Sequence, residues 1–262
     1  MIIKEHEISI FDLDDSFALS FVEGDELYKH SVYFDLEHYV YKKPKCIGVF
    51  GAGYFNYEKN KFIVTQYMIE HKGEVKDILY LAKKYFIDIS SNKKKKYIVT
   101  FSGNNDFTVI NYLFNKYGIN FEFGNYFRSI DIQNFYENTF KQSIGLKTLE
   151  KKFNIEREGE VMSGSNLAKT FHKDLKDREY FERMPKEKIE KILVYNEQDV
   201  VNLFHILVKW NLIVEANEES KENQDNWVKV NKQKNNIYNK TLCSYNKPIK
   251  IKYNLAVKKK SI

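Results

Sequence analysis

Cysteine is scarce: Cys46 and Cys243 are the only two in 262 residues. They lie too far apart to imply a disulfide framework, so a reducing interior is the expected compartment. Only 3 prolines and 11 glycines are present, which excludes a collagen-like or Pro/Gly-rich polymer. No run approaches the roughly 18 apolar residues of a membrane-spanning helix. Acidic residues stand at Glu5 and Glu7, where a signal peptide would be apolar. These absences lead us to expect a soluble, cytoplasmic protein without a membrane partner. The six histidines are scattered, and with the two cysteines they give no zinc-ligand spacing. Arginine is rare, 4 against 38 lysines, beside 25 asparagines. This reads as a genome-wide codon bias rather than selection for phosphate contacts, and it discounts arguments built on lysine alone.

Against these absences stand 43% hydrophobic and 30% charged residues, ordinary values for a globular chain. The length fits one large domain or two small ones. The net charge of +6 is unevenly placed. Residues 1–213 hold 31 basic and 31 acidic residues, whereas 214–262 hold 11 lysines and 5 acids. That last stretch has little periodicity and is expected to be a basic, flexible C-terminal tail. Residues 1–30 read as an N-terminal arm or short strands, with short apolar pieces between acidic turns from Ile8 to Val22. Residues 31–213 read as the folded domain.

Within that domain, Val32 to Glu37 alternates with period two, the mark of a half-buried strand. Cys46–Tyr57 and Lys61–Tyr67 are β-rich runs around Glu58-Lys59-Asn60, which predicts a hairpin. Val75–Ile87 has helical periodicity. Tyr97–Phe101 reads as a buried strand, Phe107–Tyr117 as a helix, and Ser129–Ile132 as a short strand. The chain is mostly helical from Gly145. The last strong element runs from Pro185, a residue suited to a first helical turn, to about Trp210. Its apolar stripe is Ile189, Ile192, Val200, Leu203 and Leu207. Three consecutive strands followed by alternating helices and strands predict an α/β fold, a mixed sheet flanked by helices.

Side chains two apart on a strand share a face, so Asp35 and Glu37 point together, away from Phe34 and Leu36. Two carboxylates side by side in a central strand are unfavourable without a cation, since each raises the other's proton affinity; an exposed strand face is the other way to accommodate them. Asp106 precedes an apolar-periodic helix and reads as its N-cap, although a strand ending at Phe101 also puts it at the lip of the sheet, where α/β folds place ligands. Tyr195 and Asp199 are four apart on the last helix and therefore neighbours, at the rim of its buried face. They read either as a boundary pair or as the border of a cleft. Hard oxygen donors of this kind suit Mg²⁺ or Mn²⁺. Two such ions about 4 Å apart can support in-line displacement at a phosphodiester.

The order and spacing of these residues resemble the DEDDy branch of the ribonuclease H-like exonuclease superfamily, and most closely its YprB-type predicted exonuclease domains, over residues 31–210. Tyr33-Phe34-Asp35-Leu36-Glu37 is similar to the first motif of that family. Thr100-Phe101-Ser102-Gly103-Asn104-Asn105-Asp106 is similar to the second, and Tyr195-Asn196-Glu197-Gln198-Asp199 to the third, Tyr-x-x-x-Asp. Ser129–Ile132 and Gly145–Glu150 resemble its connecting segments. The resemblance implies a ribonuclease H-like mixed sheet and a metal-dependent 3′-to-5′ exonuclease acting on DNA or RNA, at a single-stranded end. It implies two Mg²⁺ or Mn²⁺ ions held by Asp35, Glu37, Asp106 and Asp199, with Asp35 bridging them and Tyr195 placing the attacking water. His38-Tyr39 stand where the family has small threonines, which implies a different terminal-nucleotide pocket; Asn105 stands where an aromatic is usual, so Asp131 is the fallback ligand for the second motif, although a supporting or strand-end role is the favoured reading of it.

A nucleic-acid-binding module that kept the fold and lost catalysis is the alternative; a scaffold acting through the tail is a third reading. Gly48, Gly51 and Gly53 do not form a dinucleotide loop, since their spacing is G-x-x-G-x-G and a strand follows. Lys93–Lys96 reads as a solvated loop. Phe121, Phe123, Tyr126 and Phe127 read as core, although aromatics can also stack on bases.

Overall fold

The structure, a computed structural model, describes residues 1–11, 13–21, 26–159, 162–177 and 179–215. The expected tail, apart from Val214 and Glu215, and Cys243 lie outside them. Six strands, β1 (Ile2–Ser9), β2 (Ser31–Tyr41), β3 (Lys43–Asn56), β4 (Lys61–Met68), β5 (Tyr97–Thr100) and β6 (Arg128–Asp131), form a single mixed sheet in the order β1-β4-β3-β2-β5-β6. The β2–β3–β4 run is antiparallel, β1 is antiparallel to β4, and β5 and β6 lie parallel beside β2. The helices are α1 (Asp77–Ser91), α2 (Asn104–Lys116), α3 (Ile132–Phe140), α4 (Leu146–Lys152), α5 (Gly164–Lys176) and α6 (Lys186–Val208). The mixed α/β architecture is therefore the expected one. Among the described residues, no helix is long and apolar enough to cross a membrane.

The alternation in β2 separates two cores. Val32, Phe34 and Leu36 pack with Ile78, Leu79, Phe86, Ile110 and Leu113 of α1 and α2. Tyr33 turns the other way and packs with Val99, Val200, Phe204 and Leu207. The last three belong to α6, whose residues 196–208 are all buried, so this part of the helix is internal rather than amphipathic. The aromatic run after α2 belongs to the first core: Phe123 lies 4.9 Å from Phe86, and Phe121 stacks at 4.8 Å on Tyr126, which is 36% exposed at its edge.

β1 was not marked by hydrophobic alternation, because two of its inward positions are charged or titratable. Lys4 is buried and its Nζ meets Glu197 Oε2 at 3.1 Å, while His6 Nε2 meets Glu197 Oε1 at 2.7 Å. The pattern is therefore ionic instead of apolar. α3 was also unforeseen; it begins immediately after β6 on a cap supplied by Asp131. Lys95 departs from the solvated-loop reading: it is buried, donates to the Phe55 carbonyl at 2.8 Å and to that of Lys29, and lies over the Tyr54 ring. Its neighbours Lys93, Lys94 and Lys96 are exposed.

The glycines of β3 are sites of close approach. A Cβ on Gly48 would stand 2.4 Å from the ring of Phe171 in α5, and one on Gly51 would stand 2.0 Å from Asn196 Oδ1 in α6. Gly51 is the register partner of Asp35. The missing side chain thus lets α6 settle directly over the first carboxylate.

Candidate metal centre

β2 pairs with β5 only through Tyr33 and then continues alone along that edge. Asp35 and Glu37 thus extend past the end of β5, facing α6. The helix brings Asp199 to the same place. One carboxylate oxygen from each of Asp35, Glu37 and Asp199 lies within 4.8 Å of the others. Glu37 and Asp199 are buried and Asp35 is half-buried. A tether fixes Asp35: Gln66 Nε2 donates to Asn196 Oδ1 at 3.0 Å, and Asn196 Nδ2 donates to Asp35 Oδ2 at 2.9 Å.

Asp106 arrives from the other side of β5, but not as an N-cap. α2 begins at Asn104 with Gly103 as its cap, which puts Asp106 in the first turn, buried. The helix starts earlier than the apolar periodicity indicated because the chain reverses at Ser102, which has φ 55°. That strained turn is held by Asp131, whose carboxylate accepts from Ser102 N at 3.0 Å and Gly103 N at 2.9 Å, and from Gln133 N and Asn134 N of α3. Asp131, the fallback ligand, is thereby committed to four backbone N–H groups, while Asp106 faces the carboxylate group, with His38 Nε2 3.7 Å from its Oδ1.

Tyr195 sits one turn before Asp199, its ring between two cations. Lys147 Nζ lies 4.9 Å from the ring centroid and the Arg157 guanidinium carbon 5.3 Å. Lys147 donates to the Met162 carbonyl at 2.7 Å. Arg157 grips Glu150 with two hydrogen bonds, Nε to Oε2 at 2.7 Å and Nη2 to Oε1 at 2.5 Å, and Nη2 also donates to Asp199 Oδ1.

Crowded carboxylates with little water compete for protons. Burial first, and then the Asp199 charge, push Asp35 up to about 8. Glu37 and Asp106 are raised well above the carboxylate range, each by burial and then by its acidic neighbours, Asp35 foremost. Asp199 rises only to about 6, because Arg157 opposes its burial. Burial and the Asp199 charge raise Tyr195 as well, so it keeps its phenolic proton at neutral pH, a state that suits a hydrogen-bond donor and not a base.

All five residues singled out from the sequence therefore converge on one place, with Asp35, Glu37 and Asp199 tightly grouped and Asp106 and Tyr195 beside them. Sequence reasoning missed Asn196, Lys147, Glu150 and Arg157. For the last there was a signal: in a chain with 38 lysines and 4 arginines, each arginine is an exception to the composition. No curated protein and no solved structure matches the chain. A family model of the RNase H superfamily matches residues 32–211, which span all three motifs, the carboxylate group and all of α6. The chain belongs to the RNase H superfamily.

Proposed function

We propose that the protein is a nucleic-acid phosphodiesterase: a DEDDy-type 3′-to-5′ exonuclease that uses two Mg²⁺ or Mn²⁺ ions, with residues 31–213 as its catalytic domain. One observation carries this reading. Three carboxylate oxygens within 4.8 Å, partly or fully withdrawn from water, form an arrangement that costs folding free energy unless a cation shares it. The donor set suits hard divalent ions: Asp35, Glu37 and Asp199 would hold one, and Asp35 with Asp106 a second. Such ions would supply Lewis acidity and positive charge at the phosphodiester. Tyr195, protonated and one helical turn from Asp199, would orient the attacking water through its hydroxyl. The superfamily itself points to a nucleic-acid substrate.

Incubating 5′-labelled single-stranded DNA and RNA with the protein in each metal tests the proposal. A ladder shortening from the 3′ end is the expected result; internal cuts would overturn the exonuclease assignment, and no turnover in either metal would favour the binding module. Tyr195→Phe removes only the hydroxyl, and we expect turnover to fall by about tenfold to a hundredfold, less than the loss of a true general base would cause. Mn²⁺ affinity should not change. Turnover equal to wild type would remove Tyr195 from the mechanism.

The raised carboxylates also set a pH dependence. Asp35, at about 8 when folded, keeps a proton that the unfolded chain releases near 4. The native state therefore binds more protons across that window, and stability of the chelated protein falls as pH rises from 4 to 8. Saturating Mn²⁺ should offset this loss most at the alkaline end. At a hundred times Kd, binding contributes about 2.7 kcal/mol, or roughly 5–10 °C in melting temperature for a domain of this size. Calorimetry at pH 5 and pH 8 checks it; an Mn²⁺ shift as large at pH 5 as at pH 8 would contradict it.

A further inference from the structure

Arg157 is more elaborately placed than an ion pair requires. Its partner Glu150 is almost fully buried and is held from behind by Asn202 Nδ2, which donates to Oε1 at 2.9 Å. The two parallel bonds from Nε and Nη2 already neutralise that carboxylate. The guanidinium nevertheless extends beyond Glu150 to Asp199, stacked over Tyr195. Its side chain is 8% exposed and Nη1 itself is withdrawn from solvent, yet among the described residues Nη1 has no hydrogen-bond partner. A buried donor left unmade costs about 1–3 kcal/mol, and more on a charged group. Of the five N–H donors on arginine, the two on Nη1 are thus kept unused on a guanidinium held by Glu150 and Asp199 through Nε and Nη2, with its carbon 5.3 Å from the Tyr195 ring centroid.

We infer that Arg157 is a further catalytic residue: through Nη1 it binds a non-bridging oxygen of the phosphodiester at the end of the nucleic-acid substrate. The assignment rests on the nuclease reading above. The guanidinium is planar and presents paired donors suited to phosphate, and here it is prearranged, so no side-chain ordering is needed when the substrate arrives. Lys147, the other cation against Tyr195, is a poorer candidate because its ammonium has one hydrogen bond, to the Met162 carbonyl, and lacks the planar, doubly anchored donor set of the guanidinium. Arg157 would also keep Asp199 ionised and aimed while the phosphate is seated.

The test compares two oligonucleotides in Ca²⁺ by fluorescence anisotropy, one with an ordinary 3′-terminal linkage and one with an uncharged methylphosphonate there. Wild type should bind the charged linkage at least tenfold more tightly. Arg157→Met should lose most of that preference, and so discriminate least between the two oligonucleotides at saturating Ca²⁺, whatever its own affinity for the metal. Should Arg157→Met fail to fold, Arg157→Lys decides: it keeps the charge but cannot grip Glu150 with two bonds while reaching a phosphate, so its preference should fall too. Equal binding of both oligonucleotides by wild type, or a preference undiminished in the variants, would overturn the assignment. Cleavage retained at the wild-type rate by Arg157→Lys would overturn it as well while leaving the nuclease reading intact. Phosphate preference that depends on Arg157 in a protein without turnover would uphold the phosphate contact and defeat the nuclease reading instead.

Discussion

Asp35→Asn is expected to reduce phosphodiester cleavage by about a thousandfold or more, since metal ions contribute several kcal/mol to such reactions and each ~1.4 kcal/mol is tenfold in rate. It is also expected to raise the melting temperature of the chelated protein. These opposite effects have one cause. Asparagine keeps the shape of aspartate, and its amide oxygen can still accept the Asn196 Nδ2 hydrogen bond, which measures 2.9 Å to Asp35 Oδ2. What disappears is a carboxyl group that must take up a proton to sit among neighbours whose oxygens share a 4.8 Å neighbourhood. Without metal that proton uptake is a cost to folding, and with metal the ionised carboxylate would be a ligand to both proposed ions. Single-turnover assays and calorimetry in chelator measure the two effects. Activity within tenfold of wild type would sink the two-ion proposal, and a lower melting temperature would show that the carboxylates do not repel as described.

Gly51→Ala should be the most damaging single-methyl change in the sheet. The new Cβ would lie 2.0 Å from Asn196 Oδ1 and 2.7 Å from its Cγ, well inside van der Waals contact. Asn196 is fully buried and joins Gln66 to Asp35, so it cannot yield without breaking buried hydrogen bonds. Overpacking costs about 1–3 kcal/mol and each broken buried bond about 1–3 kcal/mol, which together predict a loss of roughly 3–5 kcal/mol. Gly124→Ala, where an added Cβ meets nothing within 4 Å, should change stability by about 0.5 kcal/mol or less. Urea denaturation of the two variants decides the matter. Equal midpoints would mean that α6 does not press on Gly51. The same substitution should weaken Mn²⁺ binding, because it displaces the tether on Asp35.

Much of this organisation was legible in the residues, and the parts that were not share a physical character. Asp35 and Glu37 could be placed on one face because a strand has a period of two, and Tyr195 and Asp199 on one side because a helix nearly repeats after four residues. Gly51 could be denied a nucleotide role from its spacing, but its reason, the approach of a helix 145 residues later, is tertiary. β1 was covered only by the expectation of an arm or short strands over residues 1–30, because its contact with α6 is polar, through Lys4, His6 and Glu197, and hydrophobic patterning is blind to that. Asp106 was assigned to the wrong helical position because the turn that starts α2 is held by Asp131, 29 residues from Ser102. Arg157 was passed over because, apart from the rarity of arginine, nothing local distinguishes it; its contacts with Glu150 and Asp199 do.

The three residues between Tyr195 and Asp199 are usually written as spacers. Here each successive one, turned about 100° from the last, is fastened to a different part of the molecule. Asn196 is tied to Gln66 and Asp35, Glu197 to Lys4 and His6, and Gln198 Nε2 donates to the Glu158 carbonyl at 3.0 Å. Such a helix can neither roll about its axis nor slide along it. The first strand of the chain, three places from β2 across the sheet, therefore acts as a spline: it fixes the angular setting of Asp199 in a centre it never touches.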